Sequence, residues 1–166
     1  MILKNKFLQF NLIFMVIFGC AKPPNYPNEP LITYEGLNKT VIAQGNANAE
    51  PDTLKIQFSF TDGDGDISFP NDSIDVFLWD SRDGTKLPYR LPQISSQGVG
   101  NGISGTITVK IPNKLQICCT FPNGATPCTK SEEFPTDTFS FFIQMRDRAG
   151  NWSNTEKTDV ITVLCD

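Results

Sequence analysis

The sequence contains no histidine. That absence removes His-based catalytic triads and most zinc sites, because imidazole is the usual general base and the commonest nitrogen ligand. Basic residues are few: 14 Lys and Arg stand against 18 Asp and Glu, for a formal net charge of −4. An acidic chain argues against nucleic acid and anionic lipid as partners, and it is compatible with cation binding. Long apolar runs are missing as well. The longest, Leu12–Phe18, falls far short of the roughly 20 residues that a membrane-spanning helix needs. Beyond residue 20 no segment keeps an apolar period near 3.6, which excludes a helical bundle.

What the N-terminus does contain is a leader pattern. Lys4 and Lys6 precede the apolar run, and Gly19-Cys20 follows it. This order reads as a secretory signal over residues 1–19, which takes no part in the fold. Ile17-Phe18-Gly19-Cys20 resembles the bacterial lipobox, with the loose first positions of Bacteroidetes-type signals. The resemblance implies that Cys20 carries lipid and tethers the chain to a membrane. One acyl chain binds a membrane only marginally, so durable anchoring implies several. Residues 20–30 then form an extended tether, because Pro23, Pro24, Pro27 and Pro30 allow no packed element. Acidic residues that often direct such lipoproteins to the cell surface are missing after Cys20. The expected location is therefore the outer membrane, facing the periplasm.

The remaining cysteines, Cys118, Cys119, Cys128 and Cys165, are disulfide candidates in an exported chain. Four cysteines permit three connectivities. Adjacent Cys118 and Cys119 point to opposite faces of an extended segment, so one is expected to pair with Cys128 and the other to reach Cys165.

Residues 31–166 read as one domain of short strands. Leu54, Ile56, Phe58 and Phe60 alternate toward one face, and so do Phe139, Phe141, Ile143 and Met145. Further strands are expected over 31–35, 40–43, 73–79, 103–111 and 159–165, with an edge strand at 87–94 because Pro88 and Pro92 exclude a central one. Gly105 fills an inward slot between Ile103 and Ile107. A cysteine-containing insert occupies 112–137. About seven strands with turn signals between them predict an all-β, immunoglobulin-like antiparallel β-sandwich.

The chemistry begins where the Leu54–Phe60 strand ends, at Thr61-Asp62-Gly63-Asp64-Gly65-Asp66-Ile67. Carboxylates at alternate positions can curl around a hard cation such as Ca²⁺, and intervening glycines permit the tight path. An EF-hand is excluded, since no helices flank the loop and Ser73 stands where that motif has glutamate. A second oxygen-rich stretch, Asp147-Arg148-Ala149-Gly150-Asn151, follows the Phe139–Met145 strand. In an immunoglobulin-like order the two loops leave the sandwich at the same end. Asp62, Asp64, Asp66, Asp147 and Asn151 are then expected to converge on one ion. Asp-Gly pairs are also ordinary turn formers, and a purely conformational role is the competing expectation.

Phe58 to Ile67 resembles the F-x-F-x-D-G-D-G-D-I signature of small uncharacterised Bacteroidetes lipoproteins, with Ser68 where the signature often continues with glycine. Asp147 to Ser153 is similar to the D-x-A-G-N-x-S ending of many bacterial immunoglobulin-like and cadherin-like domains. The resemblance implies an exported β-sandwich module; the absence of histidine and of an obvious paired acid and base points to a non-enzyme. The expected function is a lipid-anchored, calcium-stabilised envelope module in adhesion or assembly. The alternative is a carbohydrate- or ligand-binding lipoprotein of an uptake system, using the loop aromatics Phe121, Phe134 and Trp152. A protein or glycan partner fits either reading.

Overall fold

In the computed structural model the described residues are 25–45, 50–71, 73–94, 102–114 and 116–165. The signal segment, Cys20 and the first part of the tether lie outside them. The architecture is all-β. Ten strands are present among the described residues: β1 (Leu31–Leu37), β2 (Val41–Ala43), β3 (Thr53–Asp62), β4 (Val76–Asp80), β5 (Lys86–Tyr89), β6 (Ile103–Pro112), β7 (Thr136–Phe139), β8 (Phe141–Met145), β9 (Glu156–Lys157) and β10 (Ile161–Leu164). They pair in the orders β1-β3-β6, β2-β10-β7 and β5-β4-β8-β9. Among the described residues the strand pairings are antiparallel except β2 with β10, and an isolated parallel bridge joins Gly45 and Lys114.

The strand count exceeds the expected seven or so because two long strands are each broken into two. Only Ser140 separates β7 from β8, and its N–H donates to the Ser81 hydroxyl at 3.0 Å while its carbonyl accepts the Ser81 N–H. Across from it, the Thr158 hydroxyl accepts the Phe141 N–H at 3.0 Å between β9 and β10. Side chains thus replace ladder bonds at the break, and β7/β8 and β9/β10 join the second and third sheets into one layer. The β1-β3-β6 sheet forms the other layer.

The core lies between these layers. From β3 it takes Leu54, Ile56, Phe58 and Phe60, from β4 Val76 and Leu78, from β8 Phe141, Ile143 and Met145, and from β10 Ile161 and Val163. The β3–β6 register is unbroken from Thr53↔Pro112 to Asp62↔Ile103. Gly105 sits opposite Phe60, and a methyl group there would lie 2.9 Å from the Phe60 ring. The inward slot expected at Gly105 is therefore filled by Phe60 itself.

The edge strand expected over 87–94 ends at Tyr89, because the next donors leave the ladder. Leu91 N–H goes to the Asp75 carboxylate at 2.8 Å, and Ile94 N–H goes to the Ser68 hydroxyl at 2.8 Å. Cys118 is disulfide-bonded to Cys128 and Cys119 to Cys165, with Cα separations of 4.6 and 5.9 Å. Both lie within the ordinary span for such bonds. The second bridge is buried and fastens the insert to β10. Arg82 fastens it again, donating to the Cys118 carbonyl and to the carboxylates of Asp80 and Asp137 while its guanidinium stacks 4.3 Å from the Phe139 ring centroid.

Candidate metal centre

Asp62 is the last residue of β3 and continues its alternation. Leu54, Ile56, Phe58, Phe60 and Asp62 all face inward, so the pleat carries a carboxylate into a position with 0 % exposure. The chain then curls, with Gly65 at φ +70°. The curl brings Asp62, Asp64 and Asp66 together, and one carboxylate oxygen from each lies within 4.8 Å of the other two. Oxygens sharing a Ca²⁺ ion at about 2.3–2.6 Å can be no more than roughly 5 Å apart, so the spacing suits such an ion.

The hydrogen bonding of the loop is one-sided. Asp62 Oδ2 accepts the N–H of Asp66 at 3.0 Å, and Asp66 Oδ2 accepts the N–H of Ala149 at 2.9 Å. The remaining Oδ1 atoms of Asp62, Asp64 and Asp66 are all buried and have no hydrogen-bond partner. Buried polar atoms are rarely left so, and three from one cluster amount to a set of unused acceptors. Among the described residues, no Lys or Arg forms an ion pair with these carboxylates. Burial, together with the charges of Asp64 and Asp66, pushes the Asp62 carboxyl up to about 7. Asp66 is raised too, by burial first and then by the charges of Asp147 and Asp64.

The second loop arrives where it was expected. Arg148 N–H donates to the Asp66 carbonyl at 3.2 Å, beside the Ala149 bond. Asp147 is fully buried and electrostatically coupled to Asp66. Its carboxylate, however, is engaged within its own turn. Asn151 donates its backbone N–H to Oδ1 at 2.7 Å and its side-chain amide to Oδ2 at 2.8 Å. Of the five residues named from sequence, Asp62, Asp64 and Asp66 form the tight group. Asp147 stands next to it, and Asn151 braces Asp147.

Two features went unread in the sequence. Gly63 packs against the tether: a methyl group there would lie 2.4 Å from the Tyr26 carbonyl oxygen and 2.6 Å from that of Pro27. Asp75, fully buried, accepts N–H groups from Phe69 and Leu91 and so shapes the descent from the aspartate loop to β4. Ser68, where the resemblance favours glycine, has φ +69°, a conformation glycine adopts at little cost.

The loop aromatics separate into two kinds. Phe121 is buried in the core, and Phe134 packs beside it with ring centroids 6.2 Å apart. Trp152 is 44 % exposed. Comparison with protein-family models, curated proteins and solved structures finds no match to this chain.

Proposed function

We propose that this chain is a lipid-anchored, non-enzymatic, immunoglobulin-like module of a bacterial cell envelope, stabilised by Ca²⁺ held by Asp62, Asp64 and Asp66. Its role is adhesion or envelope assembly at the outer membrane, with Cys20 as the attachment point and a protein or glycan as partner. The observation that carries the reading is the group of three buried Oδ1 atoms without partners. A cation answers both of their problems, supplying a partner for each oxygen and neutralising charges that otherwise repel. Ca²⁺ suits a curled, glycine-containing loop better than Mg²⁺, which dehydrates reluctantly and demands near-ideal octahedral geometry. Water and backbone carbonyls complete the coordination.

With no histidine in the chain, no imidazole base can stand beside these carboxylates, which favours ion binding over hydrolysis at this cluster. Two measurements test the proposal. Isothermal titration of the full chain with Ca²⁺ is expected to give one saturable site that Asp64→Ala removes. In the producing cell, Cys20→Ser is expected to shift the protein from the membrane to the soluble fraction. A wild-type chain that is already soluble, or one that takes up no Ca²⁺, contradicts the corresponding half.

A further inference from the structure

The outer face of the β5-β4-β8-β9 sheet carries an aromatic row in which a charged nitrogen attends most rings. Phe77 and Trp79 project from the same side of β4, with centroids 6.2 Å apart and planes inclined by only 25°. Phe77 also meets Trp152 at 5.1 Å. At one end Lys86 Nζ lies 5.8 Å from the Trp79 ring. At the other the Arg146 guanidinium sits between Trp152 and Phe69, 5.5 Å from each. In the next row Lys157 Nζ lies 5.5 Å from the Phe142 ring.

The register explains the pattern. Phe77 pairs with Pro88 and Gln144, and Trp79 pairs with Lys86 and Phe142. These positions, with Lys157 opposite Phe142, share one face; Asp75, two residues before Phe77, is fully buried, is held by the N–H groups of Phe69 and Leu91, and feels the charge of Arg146. The chain as a whole is acidic, at −4, whereas the charged groups that attend these rings are the cations Lys86, Arg146 and Lys157. The chain has two tryptophans, and both lie here.

We propose that this face binds a carboxylated polysaccharide, its sugar rings stacking on Phe77, Trp79 and Trp152 and its carboxylates pairing with Lys86, Arg146 and Lys157. Pyranose rings present flat C–H faces to aromatic rings, and the spacings of 5.1 and 6.2 Å are on the scale of single sugar units. Charge complementarity selects a uronate over a neutral glycan. The exposed lysines hold their rings only weakly, so an arriving carboxylate can draw them away and uncover the stacking surface. The Arg146 guanidinium, fixed between two rings, is pre-oriented, and such a planar fork suits a single carboxylate on a rigid scaffold better than a diffuse anionic surface. The inference is independent of the aspartate loop, which uses none of these side chains.

Tryptophan fluorescence reads the face directly. The full chain is titrated with hexasaccharides containing glucuronate, galacturonate or mannuronate, and with their carboxyl-reduced forms, in EDTA and again in Ca²⁺. At least one uronate is expected to give a saturable change, and its reduced form to bind about tenfold more weakly or worse, the loss of roughly one charged contact. Arg146→Gln and Phe77→Ala are expected to weaken binding about tenfold while both variants still unfold cooperatively and are fully folded at the assay temperature. Equal binding of charged and reduced sugars overturns the proposal, as does the absence of any saturable change at millimolar sugar. A response to phosphatidylglycerol vesicles alone, or to a protein partner alone, also overturns it.

Discussion

Asp66 Oδ2 accepts the backbone N–H of Ala149 at 2.9 Å, across 83 residues of sequence. This bond joins the loop leaving β3 to the turn leaving β8, one from each layer of the sandwich. It places the second turn beside the aspartate cluster and leaves the Oδ1 atom of Asp66 buried without a protein donor.

The raised carboxyl of Asp62 gives the metal-free protein an unusual pH response. Its folded value, about 7, lies above the ordinary value near 3.8. The folded state therefore binds more protons than the unfolded state between these limits, and stability falls as pH rises from about 4 to 7. In EDTA, Asp62→Asn is expected to reduce this fall, the raised Asp66 carboxyl retaining part of it, and to be more stable than wild type at pH 8. Urea unfolding at pH 5 and pH 8 checks it. Equal pH slopes in variant and wild type would contradict the assignment.

Arg82 acts in the opposite sense at low pH. Burial raises the Asp137 carboxyl, but bonds from Thr120 and Arg82 outweigh it and hold the group below its ordinary range. Its contribution is present above pH 4 and lost as pH falls through the lowered value. Arg82→Met leaves Asp80 and Asp137 without their cation and is expected to cost about 2–4 kcal/mol at pH 7. The deficit relative to wild type should shrink by pH 2. Denaturant titrations at the two pH values measure it.

The two disulfides should differ in weight. The Cys119–Cys165 bridge spans 46 residues and the Cys118–Cys128 bridge spans 10. Loop-closure entropy assigns them about 4 and 3 kcal/mol. Cys119→Ala/Cys165→Ala also removes buried packing, so it is expected to lower the melting temperature clearly more than Cys118→Ala/Cys128→Ala. Calorimetry of the two double variants decides it, and the reverse order would contradict the placement of Cys119 and Cys165 in the core.

Gly63→Ala tests the contact between tether and loop. Its methyl group would overlap the carbonyls of Tyr26 and Pro27, backbone atoms that cannot rotate away. The expected result is faster proteolysis within residues 25–30 with little loss of domain stability. Unchanged cleavage would place the tether elsewhere in solution.

Much of this was legible in the residues, and the gaps have physical causes. The alternation from Leu54 to Phe60 located β3, and the Asp-Gly repeat located the cluster. That Asp62 is inside follows from carrying the same alternation one step further, across the boundary between strand and loop. The convergence of the 62–66 and 147–151 loops was readable only with a topology assumed. The detailed roles of Asp147 and Asn151 were not, because a turn that satisfies its own carboxylate has the same sequence as one that offers it to an ion. The aromatic face escaped notice because Val76-Phe77-Leu78-Trp79 is apolar on both sides. Period-two reading then cannot say which pair faces out. Nothing in the sequence marks Asp75 as buried, and only the fold reveals the N–H groups of Phe69 and Leu91 that its carboxylate accepts.

The most direct test of the central claim is thermal unfolding of the full chain at pH 7.5, first in EDTA and then in millimolar Ca²⁺ or Mg²⁺, alongside Asp62→Asn. A ligand at about 100 times its dissociation constant adds roughly 2.7 kcal/mol to the folded state, which for a domain of this size is a rise of about 5–10 °C. The account predicts that rise with Ca²⁺, little with Mg²⁺, and none in Asp62→Asn. Identical melting of the wild-type chain in EDTA and Ca²⁺ would contradict it and leave Asp62, Asp64 and Asp66 as the residues of a turn.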